Sequence, residues 1–185
     1  MEAKQLSRFF NRFEDFSFFK DLSADQQTAL SASIQEWEKL QSDQAVSGNA
    51  HLCKRHTRRM GLHIDEEVYN KVDPNDEYEL WNAQGKLLGS SNGFYNLSSF
   101  SLEELFKKER SELFFREEKY TEQLIAAIGT TLLGHTMEQP VEIHSVMEKK
   151  VNPVRVEVAI RVLTPLRDAS DKVVGVVAFL NLKKL

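Results

Sequence analysis

The sequence lacks the features that would mark it as secreted, disulfide-stabilised or membrane-spanning. It has one cysteine, Cys53, among 185 residues, so no disulfide can form within the chain. The first residues contain no apolar run that resembles a signal peptide. No stretch approaches the ~20 apolar residues of a membrane helix, and no internal repeat or low-complexity segment is found. We therefore expect a cytoplasmic protein with no part in the membrane.

The sequence also lacks the excess of positive charge that nucleic-acid binding requires. Its formal net charge is −4, which argues against nonspecific binding to phosphates. One basic run departs from this balance: Lys54, Arg55, Arg58 and Arg59 lie within six residues and have no aromatic residue between them. We expect a solvated basic face, which could meet an acidic partner protein, rather than a nucleic-acid interface.

Residues 1 to about 72 show the patterns of a helical region. Phe9, Phe13 and Phe16 share one helical face within an opening segment that also contains Phe10, Phe18 and Phe19. Such a cluster either packs on the chain's own sheet or forms a dimer interface. Ser23 and Gln26 form a capping box before an amphipathic stripe at Leu30, Ile34, Trp37 and Leu40. A third helix is expected from Asn49 to about Met60, ended by Gly61.

After the breaker at Asp73-Pro74 the patterns change to those of a mixed helix and strand domain. Glu77–Trp81 and Lys86–Ser90 are expected to pair around a turn at Gly85. Ser101 with Glu104 predicts a helix start, and a longer helix is expected from about Glu117 to Leu133. The final residues predict three strands, in which Val154–Val162 alternates apolar and polar residues and Val173–Leu180 is apolar on both faces.

This order of elements resembles the PAS sensor fold from about Val68 to Leu182. The segment Asp76–Lys86 is similar to the opening PAS hairpin, and Val173–Phe179 is similar to the closing strand. In the PAS family the closing strand lies between the first and the fourth strand, which would explain its two apolar faces. The resemblance implies a sensory or regulatory module without catalysis, which relays its state through protein–protein contacts.

The histidines and the cysteine are candidate metal or haem ligands. His51, Cys53, His56 and His63 are closely spaced, but the spacing matches no common zinc module and the surrounding positive charge opposes a cation. Some PAS proteins bind haem through a histidine on the helix that corresponds to Glu117–Leu133, but His135 lies beyond its end. His144 is expected on the exposed face of a strand. We therefore expect neither metal nor haem nor flavin.

We expect an α+β protein with a helical region at residues 1–72 and a PAS-like five-stranded antiparallel sheet at residues 73–185. The resemblance places a small-molecule cavity against the following candidate side chains: Leu102, Leu105, Phe106, Tyr120, Leu124 and Ile128. The N-terminal helices are expected to form a homodimer. The alternative is a structural homodimerisation domain with a filled core and no ligand. A small enzyme on a related fold is a further alternative, but no motif supports it.

Overall fold

A computed structural model describes residues 17–42 and 48–185. Phe9, Phe10, Phe13 and Phe16 lie outside the described residues, as do the side chains of Trp37 and Leu40. The described helices comprise two short 3-10 helices, Ser17–Asp21 and Glu66–Asn70, and six α-helices: α1 (Ala24–Ser42), α2 (Gly48–Arg59), α3 (Asn92–Leu97), α4 (Leu102–Lys107), α5 (Arg110–Leu113) and α6 (Glu118–Leu132).

The strands form one antiparallel sheet with five long or medium strands and two pieces of two residues each. They are β1 (Glu77–Asn82), β2 (Leu87–Ser90), β3 (Phe114–Phe115), β4 (Met137–Glu138), β5 (His144–Glu148), β6 (Arg155–Arg167) and β7 (Val173–Lys184). Their order is β2-β1-β7-β6-β5-β3, and β4 pairs with β6 outside this path. The closing strand β7 therefore lies between β1 and β6, as expected, and the fold is PAS-like. The two short pieces β3 and β4 were not expected.

Local sequence signals explain where the helices and the hairpin begin and end. The Ser101 side chain accepts a hydrogen bond from the Glu104 backbone, and the Glu104 side chain accepts one from Ser101, which completes the capping box of α4. Ser23 and Gln26 make the same exchange at the start of α1. Gly61 follows α2 and Gly85 lies in the β1–β2 turn, both with positive φ, a conformation that glycine adopts without strain.

The outer face of the sheet is covered by the chain's own N-terminal helices. Ala29 of α1 and Cys53 of α2 pack in one apolar cluster with Leu80 and Phe179 of the sheet, and Val68 of the second 3-10 helix joins them. This cover accounts for the outer apolar set of β7. The helices before residue 72 thus share a core with the sheet, and the domain boundary at that residue stays a prediction.

Strand β6 changes phase at Arg161. Ile160 pairs with Leu180, but Val162 pairs with Phe179, so β6 uses two residues where β7 uses one. Arg161 is therefore the extra residue of a β-bulge. The even-numbered residues of Val156–Val162 are buried, as expected from the alternation. However, Val162 packs in the outer cluster while Ile160 packs on the other face.

Within residues 17–42 and 48–185, no helix is both long enough and apolar enough to cross a membrane.

Candidate functional site: a cavity on the inner face of the sheet

The inner face of the sheet carries a cavity of about 490 Å³ beneath helix α6. Its apolar walls come from inward-facing residues of β6 and β7 and from one side of α6. The side chains that form them include Val158, Ile160, Val176, Ala178, Leu124 and Ile128. This size and apolar character are typical of small-molecule sites, which commonly span roughly 300–1,000 Å³.

The six expected lining residues fall into three places. Leu124 and Ile128 of α6 line the cavity. Leu102, Leu105 and Phe106 of α4 are instead buried in a packed cluster with Leu87 of the edge strand β2 and with Phe18, Leu22, Leu30 and Ile34 of the N-terminal region. Tyr120, at the start of α6, packs beside the cluster that contains Val158 and Ile160. Whether any of them binds a ligand stays a prediction.

One end of the cavity is charged. Its charged residues Glu79, Arg110 and Arg116 were not among the site residues expected from the sequence. Glu79 of β1 is 5% exposed. It accepts hydrogen bonds from an Arg110 Nη at 3.0 Å and from the Trp81 indole at 3.1 Å. The Arg110 guanidinium also lies 4.4 Å from the ring centroid of Phe114, a cation–π distance. The buried carboxylate therefore has a paired cation and a second donor, as burial of a charge requires.

The sequence contains a partial indication that Glu79 lies on the inner face of the sheet. Tyr78 and Leu80 face the outer helices, so strict alternation places Glu79 and Trp81 on the inner face. An acidic residue in a strand ordinarily indicates the exposed side, which hides this signal. No comparable pattern identifies Arg110 or Arg116, because both lie in an irregular stretch of short elements.

Arg116 extends this charged end and is held by His144. Its Nε donates to His144 Nε2 at 2.8 Å. The other imidazole nitrogen, Nδ1, lies 2.8 Å from the Glu142 carbonyl oxygen. A carbonyl can only accept, so Nδ1 carries the proton and Nε2 is the acceptor. The pKa of Arg116 is lowered to about 10, first by burial and then by the Arg110 charge, which leaves the guanidinium protonated at neutral pH.

The expectation that His144 is a surface residue was wrong. His144 is 5% exposed, and its ring stacks on Tyr120 at a centroid distance of 4.8 Å. Strand β5 begins at His144, so the preceding Val141 and Ile143 do not set its phase. His144 shares the buried face of β5 with Val146 and Glu148. Burial lowers the pKa of His144, which favours the neutral ring that Arg116 needs as an acceptor.

The other histidines occupy separate environments. His56 is buried on the outer side of the sheet, 2.7 Å from Ser33 Oγ and 3.3 Å from the Tyr78 hydroxyl. His135 is exposed and is not among the residues that line the cavity. Within the described residues, no group of three or more His, Cys, Asp or Glu side chains could hold a metal ion.

The basic run of α2 is partly engaged within the chain. Lys54 and Arg58 both form ion pairs with Glu66. Arg59 donates to the Gln35 side chain at 2.9 Å. Arg58 and Arg59 are exposed, whereas Lys54 and Arg55 are half-buried, and an acidic partner for this face stays a prediction.

Comparison with known proteins adds structural similarity only. No family profile and no curated protein matches this chain. The PAS-B domain of Drosophila melanogaster Cycle with bound ethylene glycol is similar at 9% identity and a TM-score of 0.45, covering 58% of this chain and 99% of that one.

Two further solved structures are similar over a comparable part of the chain. The LOV domain of the blue-light photoreceptor Aureochrome1 in its light state shows 14% identity and a TM-score of 0.41, covering 60% of this chain and 81% of that one. The PAS domain of the fruit-fly ELK potassium channel shows 21% identity and a TM-score of 0.40, covering 57% of this chain and 85% of that one. At these values the strand order, with β7 between β1 and β6, is what identifies the fold of this chain as PAS-like.

Proposed function

We propose that this chain is a sensory module of the PAS type, without catalysis of its own, that binds a small molecule between α6 and the sheet. The observation that carries the proposal is the apolar cavity of about 490 Å³ with a small group of charged side chains at one end. Such a combination provides both burial for a ligand and polar contacts that fix its orientation. The alternative, a structural domain with a filled core, has no use for such a cavity.

The signal would pass through the sheet to the N-terminal helices. Successive residues of β7 face opposite layers: Val176 and Ala178 line the cavity, whereas Val177 and Phe179 pack in the cluster with α1 and α2. A ligand that displaces the inner residues therefore acts on the same strand that supports the outer helices. Because packed interfaces respond to small shifts by repacking, this strand is a direct mechanical connection between the two layers.

The cavity can be tested by filling it. Ile128→Trp replaces an aliphatic side chain of the cavity wall with a larger indole ring. Leu133→Trp adds the same ring at a position that is 81% exposed and serves as the matched control. Mass spectrometry under non-denaturing conditions should find a bound small molecule on the wild-type chain and on Leu133→Trp, but not on Ile128→Trp. Equal ligand content in all three proteins would contradict binding in this cavity, and the absence of ligand from all three would favour the structural alternative.

We also propose that the region before residue 72 forms a homodimer and transmits the signal to a partner protein. The outer sheet face is already covered within one chain, so the dimer has to use other surfaces of this region. The phenylalanine-rich opening segment supports this proposal by its composition.

Deletion of residues 1–16 tests the dimer, because it leaves in place Phe18, which is 5% exposed in the core. We expect the full chain to sediment as a dimer at tens of micromolar and the truncated chain as a monomer; a monomeric full chain would contradict the dimer.

A further inference from the structure

The charged end of the cavity has one more positive charge than its buried carboxylate can neutralise. Glu79 is engaged by Arg110 and by the Trp81 indole. The two remaining charged residues of the lining, Glu109 and Lys149, are exposed and have contacts away from Arg116: Glu109 pairs with Lys86 and Lys149 donates to the Ser111 carbonyl. Arg116 is therefore a partly buried cation without a carboxylate of its own in the described part of the chain.

The hydrogen bond to His144 determines which donors of Arg116 remain. It uses Nε, and among the described residues neither Nη of Arg116 donates to a protein acceptor. His144 is itself fixed by the Glu142 carbonyl and by stacking on Tyr120. The guanidinium is thus held by a neutral partner, while the two nitrogens that could form a bidentate pair stay unused. A desolvated charge in this situation favours an anionic partner, and paired N–H groups match the two oxygens of a carboxylate.

The rest of the lining defines the body of the ligand. The uncharged lining includes the polar residues Asn82, Gln84, Ser111 and Thr121, but its larger part is apolar. The aliphatic side chains come from Val158 and Ile160 of β6, Val176 and Leu180 of β7, and Leu124 of α6. These side chains offer no polar partners, so the part of the ligand that contacts them must be apolar. A single unpaired guanidinium balances one negative charge and would leave a phosphate dianion undercompensated.

We propose that the cavity binds an amphipathic monocarboxylic acid, with its carboxylate on the Nη atoms of Arg116 and its apolar body against the aliphatic walls. This inference rests on the proposed ligand-binding function and gives that ligand a chemical class. In this arrangement Arg116 determines specificity for the acid, and His144 positions Arg116.

The test compares ligands that share one apolar chain and differ at the head group. Decanoate, decanol and decyl phosphate are titrated into the full chain by calorimetry. Decanoate should bind at least about tenfold more tightly than decanol, because a charge-assisted bidentate pair contributes more than a neutral hydrogen bond. Tighter binding of decyl phosphate than of decanoate would overturn the carboxylate assignment.

Two variants test the assigned residue. Arg116→Gln should lower the affinity for decanoate at least about tenfold and leave that for decanol unchanged. Arg155→Gln serves as the matched control, because Arg155 is exposed and its side chain contacts Ser145 away from the cavity. Circular dichroism should show that both variants are folded, since the amide introduced by Arg116→Gln is still a donor for His144.

The outcomes separate this inference from the broader function. If decanoate and decanol bind equally and Arg116→Gln changes neither, the cavity binds ligands but the acid assignment is wrong. If none of the three probes binds and no small molecule is bound to the purified chain, both the inference and the proposed function fail.

Discussion

The two faces of the sheet are built from similar apolar residues but are packed differently. On the outer face, α1 and α2 cover the sheet so closely that Leu80, Val162, Leu166, Val177 and Phe179 are all 0% exposed. On the inner face, α6 covers equivalent residues but leaves a cavity of about 490 Å³. Apolar composition alone therefore does not determine whether a face is filled. The difference lies in the covering elements, and we expect the outer face to contribute most of the stability and the inner face to hold the proposed ligand.

The largest expected effect is a difference between two leucines of the same strand. Leu166 is buried in the outer cluster and Leu163 lies on the inner face beside the cavity. Leu166→Ala should lower the free energy of unfolding by about 4 kcal/mol, because it leaves a closed void inside a tightly packed cluster. Leu163→Ala should lower it by about 2 kcal/mol, because this side chain already lacks contacts on the cavity side. Urea denaturation measures the free energy of unfolding of both variants. Equal decreases would contradict the proposed difference in packing between the two faces.

A second prediction concerns pH and the sealed outer face. Burial lowers the pKa of His56 to about 4, from an ordinary value near 6.5. Between these values the unfolded chain binds a proton that the folded chain does not, so acid favours unfolding. We expect protonation of His56 in the unfolded chain to lower the stability by up to about 3 kcal/mol as the pH falls from 6.5 to 4. Above pH 6.5 we expect His56 to cause no loss of stability.

The measurement is thermal or urea unfolding across this pH range. His56→Gln should flatten the decline in stability between pH 6.5 and 4, even though it is less stable at neutral pH. His135→Gln, at an exposed position, should keep the wild-type slope. A wild-type slope that persists in His56→Gln would show that this histidine is not protected from solvent by α1 and α2.

A smaller effect is expected at Gln26, which ties α1 to two other elements. Its side-chain amide donates to the Leu87 carbonyl of β2 at 3.1 Å and to the Phe106 carbonyl of α4 at 2.9 Å. Gln26→Ala should cost about 2 kcal/mol, because it leaves buried carbonyl oxygens without a donor. Gln27→Ala, which removes one bond to the Leu22 carbonyl near the surface, should cost less than about 1 kcal/mol. Chemical denaturation of the two variants would measure how much polar contacts contribute to the packing of α1.

Much of the fold could be predicted from the sequence because its signals are local. The capping residues Ser23 and Ser101, the turn glycine Gly85 and the alternation after Val154 act over a few residues. Each predicted the start of its element to within one or two positions, although β6 continues to Arg167, well beyond the predicted end at Val162. The central place of β7, which the resemblance to PAS domains implied, was also correct, and the expected cover on both of its apolar faces is present.

The candidate site was less predictable because it depends on contacts between distant segments. The distribution of Leu105 and Leu124 into different clusters depends on how α4 and α6 approach the sheet, which helical periodicity does not specify. The partnership of Arg116 with His144 joins residues 28 positions apart. His144 was wrongly expected at the surface because the start of β5, and therefore its phase, could not be located to a single residue.

The bulge at Arg161 has a consequence for how this sequence should be compared with others. Before it, even-numbered residues of β6 face the cavity; after it, Val162 faces the outer helices and Leu163 faces inward. A relative with a regular strand can therefore be aligned correctly only with a one-residue gap at this point. An ungapped alignment would match cavity residues of one protein to helix-packing residues of the other for the rest of the strand. Deleting Arg161 should remove the bulge and make β6 regular, with Ile160 still facing the cavity and Val162 still facing the outer helices.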